Sequence, residues 1–211
     1  MSNRAYLIAS QNSTPAGTRS DGNTNYATTE VIADGGSYQL PIFWFSLFSQ
    51  SNLCIHQFDD FRASTLICDR ATAWNNLRER RASVLAAFPG CDAHWDVWQQ
   101  LTEGSTGSHF KLDATEIWDL DPDSYERDFP AAVRWFSSGA AEDFAALLSL
   151  GALNYDSATR QLTVGTSAVI GEHLYGYRMN ASPPPGPPPL PPPIPPPLPP
   201  PSKNPWWKLF L

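Results

Sequence analysis

With 211 residues the chain is long enough to bury a sizeable core, and its composition excludes several classes of protein. Charged residues make up only 17% of it and aromatic residues 12%, which excludes a disordered polyelectrolyte. Two of the 14 basic residues but none of the 21 acidic residues follow Ser182, so residues 1–181 carry a net charge of −9. This charge argues against nucleic acid as a partner and favours a protein partner with a basic surface.

Three segments near the N-terminus are rich in strand-forming residues and are predicted as strands: Arg4–Ser10, Thr28–Ile32 and Leu53–Phe58. Between the last two, Pro41 can open a helix within Tyr38–Ser49. That stretch is apolar on almost every side, so the helix is predicted to be buried.

The strongest helical period in the chain runs from Ala63 to Phe88 and is stopped by Pro89-Gly90. Its apolar stripe holds Trp74, Leu77 and Leu85, which we predict to be core residues. Arg78–Arg81 lies mostly on the opposite face.

The second half of the chain predicts further helices and a hairpin. Asp92 begins a short helix that carries Trp95 and Trp98, and the other predicted elements are helix starts at Asp121-Pro122 and at Pro130, a helix over Ala140–Leu150, and a β-hairpin over Leu153–Val164. Residues 166–179 predict either a short helix around Ala168–His173 or a final strand. The fold class is therefore α+β: one domain over residues 1–181, helix-rich with a small antiparallel sheet.

A proline-rich segment, Pro183–Pro201, follows this domain. Proline fixes φ and lacks an N–H, so the segment predicts a polyproline II rod of roughly 60 Å. We place this stalk at residues 182–202. Apolar residues or glycine interrupt it every four residues, which distributes them around the rod rather than along one face. That pattern favours a semi-rigid spacer, and the alternative is a ligand for an aromatic, profilin-like or WW-type groove.

Residues 203–211 form a short apolar tip. Its aromatic and aliphatic side chains are predicted to bind a partner, as a docking hook: Trp206, Trp207, Leu209, Phe210 and Leu211. The alternatives are that the tip folds back on the domain, or that it lies at a membrane surface, for which two lysines give little attraction.

The most distinctive part of the domain is the acidic and aromatic segment Asp113–Phe129. Aromatic side chains surrounded by one sign of charge are typical of a steered protein interface. We predict partner-binding residues here: Trp118, Asp119, Asp121, Asp123, Tyr125 and Glu126. The alternative is that Trp118 and Phe129 belong to the core and that the acidic residues form a solvated face.

Metal and catalytic motifs are not recognisable, and we expect no metal, no cofactor and no catalytic residue. The pairs Cys54/His56 and Cys91/His94 lack zinc-finger spacing. The Asp119-x-Asp121-x-Asp123 run has Ser124 and Pro130 where a calcium loop needs glycine and glutamate.

Two short motifs carry a resemblance to a known family. The opening Asn3-Arg4-x-Tyr6-Leu7, and Tyr38-x-Leu-Pro-Ile42 before an aromatic-rich helix, resemble an uncharacterised family of bacterial proteins that begin M-x-N-R-x-Y-L. The resemblance covers about the first fifty residues and implies a bacterial cytoplasmic protein, without an activity. The small, acidic, Trp-rich domain also resembles immunity-type proteins that neutralise secreted toxins.

The three cysteines agree with a cytoplasmic location, because their odd number and irregular spacing are typical of a reducing compartment. The N-terminal apolar run is too short for a signal peptide, and the chain lacks the ~20-residue apolar run of a membrane span. We therefore expect a non-enzymatic, cytoplasmic interaction module with an acidic head, for which an immunity-type inhibitor is one form. The alternatives are an enzyme without a recognisable motif and a membrane-surface adaptor.

Overall fold

A computed structural model describes residues 4–14, 29–36, 38–57, 61–164 and 170–178. The chain divides into two units, Met1–Met179 and Asn180–Leu211. The second unit lies outside the described residues. The predicted rod and the five predicted tip residues, Trp206, Trp207, Leu209, Phe210 and Leu211, therefore stay sequence-based predictions.

The described part of the first unit is an α+β fold, as the sequence predicts. Its strands are β1 Tyr6–Ser10, β2 Thr29–Asp34, β3 Leu53–Gln57, β4 Arg62–Asp69, β5 His109–Asp113, β6 Asn154–Asp156, β7 Gln161–Thr163 and β8 Tyr177–Arg178. Six of them form one antiparallel sheet in the order β3-β4-β5-β1-β2-β8, and β6 pairs with β7 in a separate hairpin. The sheet is larger than expected, since β5 was not predicted.

The helices of the described residues surround this sheet. They are α1 Arg70–Ala87, α2 Asp92–Glu103, α3 Thr115–Trp118, α4 Pro122–Ser138, α5 Ala141–Leu150 and α6 Ile170–Tyr175. A 3-10 helix, Ile42–Leu47, lies at the predicted buried position, and all six of its residues are buried. Helices α1, α4, α5 and α6 all contact it, so we call it the central 3-10 helix.

The core side of the sheet follows from the alternation of side chains along its strands. Leu7, Leu66 and Leu112 are register partners across β1, β4 and β5, and all three are fully buried. Aromatic rings join the central 3-10 helix to the other helices: Phe43 contacts Trp95 with ring centroids 5.1 Å apart, and Phe45 contacts Phe129 at 5.5 Å. Such edge-on pairs stabilise a core beyond the apolar area that they bury.

The predicted helix over Ala63–Phe88 is wrong in its first turns. Residues up to Asp69 belong to β4, because pairing with β3 and β5 satisfies their backbone groups. The helix begins only at Arg70, where the Asp69 carboxylate accepts a hydrogen bond from the Thr72 amide at 2.9 Å. Leu77 is buried as predicted, whereas Trp74 and Leu85 are only partly buried against the core.

The helix start predicted at Pro130 is also wrong. Helix α4 begins at Pro122, as the Asp121-Pro122 pair predicts, and continues through Pro130 to Ser138. Eight of its residues are buried, so tertiary packing outweighs the loss of one backbone hydrogen bond. In residues 166–179 the two predicted alternatives both occur, since α6 is followed directly by β8.

Candidate functional site

The predicted partner-binding segment forms an acidic surface at the turn between α3 and α4. From Leu112 to Glu126 the chain carries acidic residues and no basic one. Asp119, Asp121 and Asp123 are exposed, and the Leu120 side chain between them is 49% exposed. The Trp118 ring stacks on Phe61 with centroids 4.4 Å apart. We call Trp118, Asp119, Leu120, Asp121 and Asp123 the acidic surface.

Local hydrogen bonds hold this turn in shape. The amides of Asp119 and Leu120 donate to the carbonyls of Thr115 and Ile117, at 3.1 and 3.2 Å, and so close α3. The Asp121 carboxylate accepts a hydrogen bond from the Ser124 amide at 3.1 Å, which caps α4. The Ser124 side chain, followed by this amide, lowers the pKa of Asp121. Because the backbone is paired within the turn, the acidic side chains project from a rigid support.

Tyr125 and Glu126 lie behind the acidic surface and attach α4 to the sheet. The Tyr125 side chain is buried, and its hydroxyl donates to the Ser64 carbonyl at 2.9 Å. Glu126 accepts hydrogen bonds from the Ser64 amide at 2.9 Å and from the Ser64 hydroxyl at 2.6 Å. Through these contacts Tyr125 and Glu126 support the acidic surface from behind. The other four predicted residues lie at or near the protein surface: Trp118, Asp119, Asp121 and Asp123.

Ile55 is a further apolar residue on this side of the sheet that the sequence reasoning missed. It lies on edge strand β3 and is 63% exposed. Its register partner is Ser64, the residue that Glu126 holds, so Ile55 lies on the α4 side of the sheet. The sequence predicted this strand from its apolar residues and gave no indication that Ile55 is exposed. Only the strand order shows that β3 lies at the edge of the sheet.

A buried carboxyl group lies where β5 leads into α3. Asp113 is 2% exposed, and its Oδ1 accepts hydrogen bonds from the Thr115 amide at 3.2 Å and hydroxyl at 2.9 Å. Its Oδ2 is buried and has no hydrogen-bond partner among the described residues. Burial is the largest cause that raises the pKa of Asp113 to about 6, against the opposing effect of the Thr115 hydrogen bonds.

This raised pKa predicts a specific pH dependence of stability. The native state holds the Asp113 proton up to pH values near 6, whereas an unfolded chain releases it near 4, so stability falls as pH rises between these values. Over this pH range the free energy of unfolding falls by a total on the order of 3 kcal/mol. We expect Asp113→Asn to gain stability relative to the native chain as pH rises from 4 to 7, measured by urea unfolding. The exposed Asp123→Asn is the control, and an equal pH dependence in all three proteins would contradict the prediction.

The cysteine and histidine pairs of the sequence do not form a metal site in the described part of the chain. No group of three or more His, Cys, Asp or Glu side chains that could hold a metal ion occurs there. Cys68 and Cys91 are buried and Cys54 is half-buried, and burial raises the pKa of all three thiols, that of Cys68 to about 12. Such thiols are poor nucleophiles at neutral pH.

An open depression of about 450 Å³ at the start of α1 brings Asp69, Arg70 and Ser108 together. Asp69 caps α1, while Arg70 lies 4.7 Å from the Trp74 ring centre and donates to the Ser105 hydroxyl at 2.9 Å. The Ser108 hydroxyl lies 2.9 Å from Nδ1 of His109, which is not among the residues that line the depression. The Asp69 carboxylate therefore stabilises the helix start, and Arg70 connects it to Ser105.

No family model, curated protein or solved structure matches this chain. The resemblance to the bacterial family that begins M-x-N-R-x-Y-L therefore rests on its two short motifs. None of the helices within the described ranges is long and apolar enough to cross a membrane.

Proposed function

We propose that this protein is a non-enzymatic, cytoplasmic binding module. Its acidic surface binds a protein partner that has a basic surface. The observation that carries the proposal is the composition of the turn between α3 and α4. Three exposed carboxylates surround a half-exposed Leu120 beside the Trp118–Phe61 stack. An apolar centre with a rim of one charge suits electrostatically steered association.

The rigidity of the turn supports the same function. A surface held by a capped helix and by closed backbone hydrogen bonds loses little conformational entropy when a partner binds. The partner that fits is a folded protein or segment with clustered lysine or arginine residues. Inhibition of a basic toxin by an immunity-type protein is one instance of this chemistry.

The test is a capture experiment that neutralises the surface without removing its support. Asp119→Asn/Asp121→Asn/Asp123→Asn removes three charges, and asparagine at position 121 keeps the helix cap. The full-length triple variant, used as bait in a lysate of the source cells, is expected to lose most of the partner that the native chain captures. Quantitative mass spectrometry of the captured proteins measures this loss.

The matched control is Asp92→Asn/Asp96→Asn/Glu103→Gln on α2, where all three side chains are exposed. Both triple variants change the net charge from −7 to −4, so they separate a local surface from total charge. Leu120→Ser is paired in the same way with Val97→Ser, since these side chains are 49% and 40% exposed. Equal capture by both triple variants would contradict the proposal.

A further inference from the structure

A second surface, separate from the acidic surface, forms a groove lined by aromatic side chains. It lies between the C-terminal half of α1, the α4–α5 junction and the β6–β7 hairpin, and encloses about 550 Å³. Four aromatic side chains line it, with ring centroids 5.6 Å apart for Trp135–Phe144 and 4.9 Å for Phe144–Tyr155: Trp135, Phe136, Phe144 and Tyr155. The Trp135 side chain is only 8% exposed. Small residues such as Ala87 and Gly139 leave space beside the rings. We call this the aromatic groove.

The polar groups of the aromatic groove are mainly hydrogen-bond donors without charge. Arg160 is the one charged residue in its lining, and its guanidinium donates to the Ala86 carbonyl at the end of α1. Within the described residues, the Trp135 indole N–H and the Tyr155 hydroxyl make no hydrogen bond, and neither polar atom is completely buried. The groove therefore offers flat rings together with two donors that a ligand could use.

This combination fits a polyproline II segment. Proline rings are compact and apolar, so they pack against aromatic side chains. The carbonyl groups of the rod make no internal hydrogen bonds, so they accept bonds from indole N–H and phenol O–H groups. A rod of this kind also has no charge, which matches a groove whose lining holds no acidic residue.

We propose that the aromatic groove binds the proline-rich segment Pro183–Pro201 of a second copy of this chain. The chain itself supplies the ligand, because 33 residues follow Arg178, where the described residues end, and 19 of them form the segment. The sequence predicts a stiff rod of roughly 60 Å, and stiffness favours contact with a neighbouring molecule over folding back. A contact between a groove on one copy and a rod on another closes into a dimer when two copies exchange their rods, and otherwise builds rings or open chains of copies.

The test is the concentration dependence of the molar mass of the full-length protein, measured by sedimentation velocity. The mass is expected to rise above that of a monomer as concentration increases. A synthetic peptide with the sequence of residues 183–201 is expected to reverse this rise. Tyr155→Ala is expected to weaken association about tenfold or more, and replacing residues 183–201 with a Gly/Ser segment of equal length is expected to abolish it.

Conservative variants separate recognition from folding. Tyr155→Phe keeps the ring and removes the donor, so it is expected to weaken association without changing the thermal unfolding midpoint greatly. Tyr177→Phe, in a tyrosine outside the groove, is the control and is expected to associate normally. A monomer at every concentration would overturn the proposal, as would association that survives the Gly/Ser replacement or is lost only in Trp206→Ala/Trp207→Ala.

Discussion

Replacing Arg80 with alanine is expected to lower the free energy of unfolding by roughly 3–5 kcal/mol, one of the two largest effects that we predict for a single change. Arg80 lies on α1 and is only 9% exposed. Its guanidinium donates to the carbonyls of Ser46 at 2.8 Å, Phe45 at 3.4 Å and Phe48, and to the Ser137 hydroxyl at 3.3 Å. Arg80 thus supplies most of the side-chain donors at the carbonyl end of the central 3-10 helix, where the Asn76 amide also donates to the Leu47 carbonyl at 2.9 Å.

The loss of stability in Arg80→Ala comes from the unpaired carbonyl groups and the cavity that remain when the arginine side chain is removed. Buried carbonyl groups without a donor each cost about 1–3 kcal/mol, and the cavity adds to this. Arg80→Lys keeps the charge but cannot reproduce the planar fork of donors, so an intermediate loss is expected. Urea unfolding at neutral pH measures both variants.

Arg81→Ala is the matched control, because Arg81 is the next residue on the same helix and its ion pair with Asp96 at 3.1 Å is at the surface. An exposed pair of this kind contributes at most about 1 kcal/mol. Equal destabilisation by Arg80→Ala and Arg81→Ala would show that the buried hydrogen bonds do not hold the central 3-10 helix.

Replacing Trp98 with alanine is expected to cost about 3–5 kcal/mol as well. Trp98 lies on α2 and is fully buried. Its indole N–H donates to the Ser46 hydroxyl at 3.1 Å, and that hydroxyl donates in turn to the Phe43 carbonyl at 2.5 Å. The change therefore removes a large apolar ring and also interrupts a buried chain of hydrogen bonds.

Thermal and urea unfolding of three variants separate these contributions. Trp98→Phe keeps most of the ring and is expected to lose less stability than Trp98→Ala. Val97→Ala, at the neighbouring exposed position, is expected to change stability by no more than about 0.5 kcal/mol. If Trp98→Ala matched Val97→Ala, α2 would not pack on the central 3-10 helix as described.

These two residues illustrate what the sequence could and could not predict. Trp98 follows Trp95 at helical spacing behind Asp92, so its place on a short apolar helix was predictable. Arg80 belongs to a run of charged residues that was predicted to face away from the core. Only the position of the central 3-10 helix shows why one arginine of that run is buried, since its carbonyl partners are more than thirty residues away.

The same limit applies to the sheet and to the candidate site. Residues 63–69 satisfy a helical period, but their long-range pairing with β3 and β5 makes them a strand. In the acidic segment, composition predicted an exposed acidic turn and the helix cap at Asp121. It could not distinguish Tyr125 from Trp118, because one ring points under α4 toward Ser64 while the other stacks on Phe61.

The most direct test of the proposed function is the rate at which the full-length protein associates with its captured partner as ionic strength is raised. A steered interface predicts a rate that falls steeply with salt, because screening shortens the range of attraction. At low salt, Asp119→Asn/Asp121→Asn/Asp123→Asn is expected to associate several-fold more slowly than Asp92→Asn/Asp96→Asn/Glu103→Gln. A rate that is insensitive to salt, or equal slowing in both triple variants, would contradict an acidic binding surface at the α3–α4 turn.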